Sequence, residues 1–297
     1  MSIQTSVDFP ETIRPRRVNF AWEQTPLHWI PNDPFTTHLI NVLHLLLPAG
    51  EQWFVDVYKE ALPLITDAKL RSEVRGFMGQ EAIHARAHAA VLDHVREQGI
   101  ETEPYTKRVD WILEKLLGSD RAPRFLQRRW LRFRLAVIAA IEHYTCMMAD
   151  WIVMNSAALD AAGADPTMLD LVRWHGAEEV EHRSVAFDTF EHVAGWDRYL
   201  MRIEAMLIIT PVFLYMWYAG VKFFMANDPT ISNRRATFRQ YLQSAKKHLV
   251  PGWELVRAVP RYLRPSHHPT REGSLQAALN YLAISPAARA AQAAGAY

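Results

Sequence analysis

Two pairs of glutamate and histidine, each separated by two residues, constrain the fold of this chain more than any other feature of its sequence. The first pair is Glu81 and His84 in QEAIHARAH, and the second is Glu179 and His182 in WHGAEEVEHRS. Residues at i and i+3 of an α-helix project from one face. Two helices with such pairs, together with two helices that carry one glutamate each, form a four-helix bundle around two metal ions. The sequence therefore predicts an all-α bundle with a buried dinuclear metal site.

Two further glutamates and a third histidine complete the predicted site. Glu142 lies in the apolar run AAIEHYTCMMA, where a carboxylate is costly to bury unless it is paired or bound to metal. Glu51 is the weakest member, because an acid in the first turn of a helix is favoured by the helix dipole alone. His175 extends the second pair to H-x-x-x-E-x-x-H and lies about 20° from His182 around the helix. The predicted metal ligands are Glu51, Glu81, His84, Glu142, His175, Glu179 and His182.

The ligand types indicate which metals this site suits. Carboxylates and imidazoles favour iron, and manganese suits the same set, whereas structural zinc sites use four ligands. The charges of four glutamates also match two divalent ions better than one. Glu178 is a competing ligand, a partner that orients an imidazole, or a general base. His88 lies one turn beyond His84, and we predict that it contacts a ligand rather than a metal ion.

The chain shows helical periodicity throughout, with no alternating strand pattern and no glycine-rich phosphate loop. A helix is predicted to begin near Gly50, after the interruption at Pro48, and to hold Glu51 in its first turn. Three further long helices are predicted over residues 68–98, 124–160 and 167–194. A short helix is predicted between Pro104 and Gly118. The predicted regions are an irregular N-terminal arm (1–34), a ferritin-like helical metal-binding domain with an apolar helix at 204–226 (35–226), and a basic helical C-terminal extension (227–297).

Charge is distributed unevenly along the chain. Residues 1–226 hold 29 acidic and 23 basic side chains, whereas residues 227–297 hold 3 acidic and 10 basic ones. A basic extension indicates either a partner surface of negative charge or a solvated tail. The single cysteine, Cys146, excludes an internal disulfide, and the N-terminus lacks the apolar stretch of a secretory signal. We therefore expect a cytoplasmic protein, associated with membranes if the negative surface is a bilayer, and no nucleic-acid partner.

Residues 205–221 contain no charged side chain, and their length is near the lower limit for a membrane span. Trp217 and two tyrosines within the segment are typical of a membrane interface. Three interpretations stay open at this point: a buried core helix, a segment embedded in or lying on a membrane, and a homodimer interface.

Four blocks of the sequence resemble a known family. LPAGEQWF, GFMGQEAIHARAH, AAIEHYT and WHGAEEVEHRSVAFD are similar to the signature blocks of ferritin-like proteins catalogued as predicted metal-dependent hydrolases, over roughly residues 35–225. The seven candidate ligands are also similar to the set in p-aminobenzoate N-oxygenase and related di-iron oxygenases, with His175 as the third histidine. This resemblance implies a di-iron centre that binds O₂ and oxidises an organic substrate.

Three interpretations of function follow from these patterns: two enzymatic ones and a non-enzymatic bundle that stores metal or holds it structurally. In the first, two iron ions activate O₂ and the protein holds a small or hydrophobic substrate beside them, with Tyr144, Trp151 and Trp174 as candidates for the pocket wall. The sequence shows no flavin, nicotinamide or iron–sulfur motif, so the electrons come from an electron donor of unknown identity. The alternative is a dinuclear hydrolase, in which the metal ions activate water and Glu178 is the base.

Overall fold

A computed structural model describes residues 13–295 of the chain, and helices are the only regular secondary structure in this part. The prediction of an all-α bundle is therefore confirmed. The helices are α1 (Pro34–Ala61), α2 (Ala68–Glu97), α3 (Glu103–Leu116), α4 (Gln127–Asn155), α5 (Ala157–Ala161), α6 (Pro166–Glu181), α7 (Val185–Val193), α8 (Arg198–Asn227), α9 (Phe238–Lys246), α10 (Glu254–Tyr262), α11 (Leu275–Ile284) and α12 (Pro286–Ala293).

Aspartate caps begin three of the four helices at the centre of the bundle. The side chains of Asp33, Asp67 and Asp165 accept hydrogen bonds from backbone N–H groups in the first turns of α1, α2 and α6. Pro34 and Pro166 follow two of these caps, where the missing N–H of proline has no cost. Each cap of this kind stabilises its helix by about 0.5–2 kcal/mol.

The central bundle consists of two antiparallel helix pairs, α1 with α2 and α4 with α6. In the first pair, Tyr58 packs on Phe77 at one end, while His44 meets His88 further along. In the second pair, a Cβ on Gly176 would lie only 2.7 Å from the Ile152 side chain. Glycine is thus required where α6 crosses α4 most closely.

The core has two hydrophobic clusters, with the bundle centre between them. Ile83 and Cys146 belong to one cluster, and Phe77 and Tyr144 belong to the other. On α2, Glu81 lies between Phe77 and Ile83, which belong to different clusters, whereas Glu142 on α4 is flanked by Ala140 and Tyr144 of the second cluster. The polar site is therefore enclosed by apolar packing at both ends.

The predicted helix start near Gly50 is wrong. Helix α1 begins at Pro34 and continues through Pro48, so Glu51 lies in the interior of a 28-residue helix and not in its first turn. Pro48 removes one N–H, whose partner in the helix would be the carbonyl of His44. The Asp33 cap and the apolar packing of α1 outweigh this loss, and the helix dipole does not explain the position of Glu51.

Two other predicted helices are divided in the structure. The predicted helix over 167–194 breaks after Glu181, and α7 begins at Val185. His182 caps the end of α6, and its side chain turns inward, because its two ring nitrogens meet Gln80 and the glutamates of the bundle centre. The predicted helix over 124–160 is α4 with a short 3₁₀ turn before it and α5 after it.

The apolar segment predicted over 204–226 lies in α8, which packs along the outside of the bundle. Trp217 donates to the carbonyl of Leu39 in α1, and the Tyr144 hydroxyl in α4 pairs with Thr210. By length and composition, Arg124–Asn155 and Arg198–Asn227 could each cross a membrane. The most apolar window of the first is 61% buried, but that of α8 is only 22% buried. The interpretation of this segment as a buried core helix therefore applies only to the inner side of α8.

The last two helices of the C-terminal extension pack on α6. Asp170, on α6, accepts hydrogen bonds from the Tyr281 hydroxyl (2.8 Å), the Ser285 hydroxyl (2.7 Å) and the backbone N–H of Ala287 (2.9 Å). One buried carboxylate therefore joins α6 to the end of α11 and the start of α12.

Replacing this carboxylate should loosen the extension. We expect Asp170→Ala to lower the free energy of unfolding by about 3 kcal/mol, because three bonds to a charged group are lost and their donors stay buried. Urea denaturation followed by circular dichroism measures the change. Asp160→Ala, at a half-exposed ion pair with Arg173, is the control and should cost under about 1 kcal/mol. Equal losses in the two variants would contradict this role of Asp170.

Candidate metal centre

The structure brings all seven predicted ligands together at the centre of the bundle. Every one of these side chains is buried, and none is more than 6% exposed. They come from the four central helices, with His182 at the cap of α6. The contributions are Glu51 from α1, Glu81 and His84 from α2, Glu142 from α4, and His175, Glu179 and His182 from α6 and its cap.

These side chains form two adjoining groups, each of the size of one ion site. In the first group, one ligand atom from each residue lies within 4.8 Å of the others, and the same limit holds in the second group. Each of the two groups could hold one metal ion. The first group is Glu51, His84 and His175, and the second is Glu81, Glu142, Glu179 and His182.

Glu179 and Glu81 connect the two groups. The Oε1 atom of Glu179 lies 3.0 Å from His175 Nε2, 3.6 Å from His84 Nδ1 and 3.4 Å from His182 Nε2. The Oε1 atom of Glu81 lies 3.4 Å from His182 Nε2 and 3.9 Å from His84 Nδ1. The glutamate of each Glu-x-x-His pair thus faces histidines of both groups, which is the position of a carboxylate shared between two ions.

Glu51 and Glu142 lie at opposite ends of the cage. Glu51 Oε1 is 3.5 Å from His175 Nε2, and Glu142 Oε2 is 3.4 Å from His182 Nε2. Each of these two glutamates faces a histidine of one group only. The arrangement is therefore two terminal carboxylates, two shared carboxylates and three imidazoles.

The unpaired atoms in this cage fit metal ions. Eight buried oxygen and nitrogen atoms of the predicted ligands have no hydrogen-bond partner in the described part of the chain. Buried polar atoms without partners are rare and costly, and metal ions would satisfy all of them together. These atoms are both carboxylate oxygens of Glu51 and Glu81, Oε2 of Glu142 and Glu179, Nδ1 of His84 and Nε2 of His182.

The electrostatics of the cage also favour bound cations. Burial and the neighbouring carboxylates raise the pKa of Glu51 and of Glu81 well above the ordinary range, and they raise the pKa of Glu142 to about 7. Burial would raise the pKa of Glu179 too, but His182 and His175 lower it below its ordinary value. Four carboxylates cannot all carry charge here without compensation, and two divalent ions would provide it.

Each of the three histidines is oriented by a partner outside the cage. His84 Nε2 donates to Glu178 at 2.9 Å, and His182 Nδ1 donates to Gln80 Oε1 at 3.0 Å. His175 Nδ1 lies 2.6 Å from His88, as predicted for a residue that contacts a ligand. These bonds direct the opposite ring nitrogen of each imidazole into the cage, which is how metal-binding histidines are held.

The His88 ring continues this chain of imidazoles away from the cage. His88 Nδ1 lies 2.7 Å from His44 Nδ1, and both rings are fully buried. With Nε2 of His175 directed at the cage, its Nδ1–H donates to Nε2 of His88, and the Nδ1–H of His88 in turn donates to Nδ1 of His44. Burial lowers the pKa of His44 to about 3, so this outer ring stays neutral.

Sequence reasoning missed the contribution of the N-terminal arm. Arg16 donates to Glu178 at 2.7 Å and to the two oxygens of Glu181 at 2.8 and 2.9 Å. The arm approaches α2 closely, because a Cβ on Gly79 would lie 2.5 Å from Pro15. The spacing of Gly76 and Gly79 on one helical face was the available signal for a chain segment packed there.

Glu178 is placed by these contacts outside the cage. Its carboxylate bonds to His84 and to Arg16, and neither oxygen is directed at the two ligand groups. Of the interpretations that the sequence left open, the position that orients an imidazole matches this geometry. The position of a competing metal ligand does not match it, and the role of a general base stays a prediction.

We expect the arm to contribute to metal affinity. Arg16→Ala removes the cation beside Glu178, which holds His84, and should weaken metal binding by about 10–100-fold. Competition with a chromophoric chelator measures this affinity. Arg17→Ala, at the exposed neighbouring position, should leave it unchanged. Normal affinity in the Arg16 variant would show that the arm does not support the cage.

A cavity of about 750 Å³ extends from the cage to the protein surface. His175 and Glu179 lie on its wall, and the remaining lining is mostly apolar and comes from α1, α4, α6, α8 and the α9–α10 region. Trp151 lines this cavity, as predicted. Tyr144 and Trp174 lie elsewhere, since Tyr144 stacks on Phe213 and Trp174 packs against His84.

A helical bundle that buries four glutamates and three histidines face to face has the construction of a metal-dependent protein. The sequence profile of a family described as "Predicted metal-dependent hydrolase" matches residues 14–273, and the chain belongs to this family. No curated protein and no solved structure matches the chain. The resemblance to this family is thus confirmed, whereas the similarity to the N-oxygenases stays a prediction.

Proposed function

We propose that this protein is a di-iron enzyme that uses O₂ to oxidise an apolar organic substrate. The observation that carries the proposal is the cage of four carboxylates and three imidazoles that borders a large apolar cavity at His175 and Glu179. Oxygen and nitrogen donors in this number suit iron, and manganese is the other metal that they would accept. Two bound iron ions supply the redox chemistry, and a separate electron donor supplies electrons for turnover.

The protein residues have three tasks in this reaction. Glu81 and Glu179 would help to hold the metal ions, while Glu178, Gln80 and His88 keep the imidazoles in position. The apolar cavity binds the substrate and excludes water from the side where the cage is accessible. A cavity of this volume lies within the range of about 300–1,000 Å³ that holds small organic ligands.

The cavity wall favours oxidation over hydrolysis. Hydrolysis of an ester or amide needs a base for the attacking water and donors for the carbonyl oxygen. Glu178 is bonded to His84 and Arg16, and the Thr145 hydroxyl, which lines the cavity, donates to the backbone of Glu142. Neither side chain is free for these tasks, whereas an apolar wall suits a substrate without polar groups.

Hydrolysis is the second candidate function, and the description of the family favours it. In that case two bound ions would lower the pKa of a water molecule and orient the substrate. A cage glutamate would then have to leave its ion to accept the proton, because the described cavity offers no other carboxylate.

Reaction with O₂ separates the two candidates. The metal-free protein is loaded with Fe(II) under anaerobic conditions and mixed with O₂, and we expect O₂ consumption with a transient visible absorption band. The His175→Ala variant should change this band, while His94→Ala, on the same bundle but outside the cage, should not. No reaction with O₂, together with turnover of nitrophenyl esters by the zinc- or manganese-loaded protein, would overturn the oxidase proposal in favour of hydrolysis.

A further inference from the structure

We propose that one face of the protein docks on an anionic lipid bilayer and that the cavity takes the hydrocarbon chain of a membrane-dissolved substrate directly from it. The docking is independent of the reaction, but the assignment of the chain as substrate rests on the proposed function. The docking face is defined by exposed side chains of α8, α9 and the start of α10: Leu207, Ile208, Val212, Leu214, Tyr215, Tyr218, Phe238, Leu242, Trp253 and Val256.

The α8 part of the docking face is a stripe of apolar side chains that no described residue covers. Leu207 is 55% exposed and Tyr215 is 61% exposed, although both lie in the segment without charge. The stripe ends at Glu204 on one side and at Lys222 on the other. Scattered apolar residues are normal on protein surfaces, but a contiguous set marks an interaction site.

The remaining part of the docking face surrounds the mouth of the cavity. Phe238 and Trp253 are more than 70% exposed, and both also line the cavity. Leu214 and Tyr218 of α8 line it as well. The cavity that begins at the metal cage therefore opens within the apolar face, so an apolar molecule in a bilayer could enter without crossing water.

Basic side chains lie within and next to the segments that form this face. Seven of them are exposed, and within the described residues none forms an ion pair. In the same stretch Glu254 is the exposed acid, while Asp228 is buried between two histidines. The seven are Lys222, Arg234, Arg235, Arg239, Lys246, Lys247 and Arg257.

This charge pattern identifies the occupant as a bilayer rather than a second copy of the chain. In a symmetric dimer the same face of both copies would meet, and fourteen cations would be brought together. An anionic membrane surface instead attracts basic residues that lie beside an apolar patch. Exposed tryptophan and tyrosine at the rim also suit the boundary between headgroups and acyl chains.

The packing of α8 indicates that it lies on the membrane and does not cross it. Met206, Ile209 and Met216 bury the inner side of α8 against the bundle along most of its length. The middle of α8 also packs on α3, where the Tyr105 hydroxyl donates to the Met216 carbonyl. A helix held in this way can insert its outer side chains at the interface, as amphipathic membrane-surface helices do.

Vesicle sedimentation tests the docking. The metal-loaded full-length protein is mixed with vesicles of phosphatidylcholine, or of phosphatidylcholine with phosphatidylglycerol. We expect binding to the anionic vesicles that weakens as salt is raised, because the cations contribute. The double variant Leu207→Glu/Tyr215→Glu and the single variant Trp253→Glu should each lower affinity by about tenfold or more. Phe125→Glu, at an equally exposed position before α4, should bind as the unmodified protein does.

Three results of this experiment would overturn the docking. The first is the absence of sedimentation with anionic vesicles, and the second is an equal loss of vesicle affinity in Phe125→Glu and Trp253→Glu. The third is a dimer that forms in solution at any salt concentration and is lost in the variant with substitutions in α8. Melting temperature and iron content of each variant show whether it is folded and loaded. The O₂ reaction of the soluble protein is measured in parallel, so a failure of docking with an intact O₂ reaction leaves the proposed function standing.

A second measurement tests the passage from the bilayer into the cavity. Leu43→Trp should fill part of the cavity, because Leu43 lines it. Leu46→Trp is the control, because Leu46 is half-buried on the same helix but does not line the cavity. We expect a fluorescent polyene fatty acid in anionic vesicles to be protected from an aqueous quencher by the protein, and this protection to fall several-fold in the Leu43→Trp variant only. Equal protection by Leu43→Trp and Leu46→Trp would exclude the cavity as the binding site.

Discussion

Metal-free protein loaded with Fe(II) should bind two ions per chain and melt about 10–20 °C higher than before loading. The buried carboxylates repel one another without cations, and eight ligand atoms lack partners, so the ions bind the folded state and have no equivalent site in the unfolded chain. Ligand at about a thousand times its Kd stabilises by about 4 kcal/mol per site, and each kcal/mol raises Tm by about 2 °C or more in a chain of this size. Differential scanning fluorimetry under anaerobic conditions measures the shift.

The number of iron ions bound per chain is a more specific test than the melting temperature. Inductively coupled plasma measurements after desalting should give two iron ions, and a strong chelator should return the melting temperature to its starting value. Mg²⁺, which prefers water and oxygen ligands, serves as the control and should produce a much smaller shift. One tightly bound ion, or a melting temperature that does not respond to iron, would contradict a cage built for two.

The metal site was more predictable than the fold around it. Helical spacing fixes which side chains share a face, so Glu81 with His84 and Glu179 with His182 could be assigned from local sequence alone. Glu142 could be assigned because an isolated carboxylate in an apolar helix needs a partner. All seven side chains do lie together, although their role as ligands stays a prediction.

The residues that orient the ligands could not be assigned in this way. Arg16 reaches Glu178 from an arm without regular structure, and no periodicity connects two segments so far apart in the sequence. Gln80 precedes a predicted ligand, but only the tertiary structure shows that it bonds to His182. Contacts of this kind depend on how helices pack, and local pattern carries little information about packing.

Helix boundaries failed where tertiary contacts outweighed local preference. Pro48 normally ends a helix, yet α1 continues because Asp33 caps its start and its apolar face is buried. Conversely, the segment after Glu181 favours continued helix, but the inward turn of His182 ends α6. Composition also could not show which side of α8 is covered, since an apolar helix beside a bundle and one inside it have similar sequences.

The position of the cage between two hydrophobic clusters links stability to function. A site with four buried carboxylates destabilises the metal-free bundle, and the apolar clusters at both ends must supply the free energy that keeps it folded. The same enclosure keeps water away from the ligands except on the cavity side. Access to the cage is therefore controlled by the apolar wall and by what the docking face contacts.

Glu179→Gln should have the largest effect of any single substitution on the metal centre. Glu179 Oε1 faces His175, His84 and His182 together, so its charge is shared by both ion positions. The amide keeps the shape but loses the charge and one acceptor oxygen. We expect iron content to fall from two ions to one or none, and the O₂ reaction to be lost.

The neighbouring variant Glu178→Gln is the matched control for this prediction. Glu178 is also buried on α6, but it bonds to His84 from outside the cage, and a glutamine oxygen can still accept that bond. Both ions should stay bound, with affinity lowered by at most about 100-fold. If Glu178→Gln lost the ions while Glu179→Gln kept them, the assignment of inner and outer glutamates on α6 would be reversed, because the two side chains differ chiefly in which of them faces the cage.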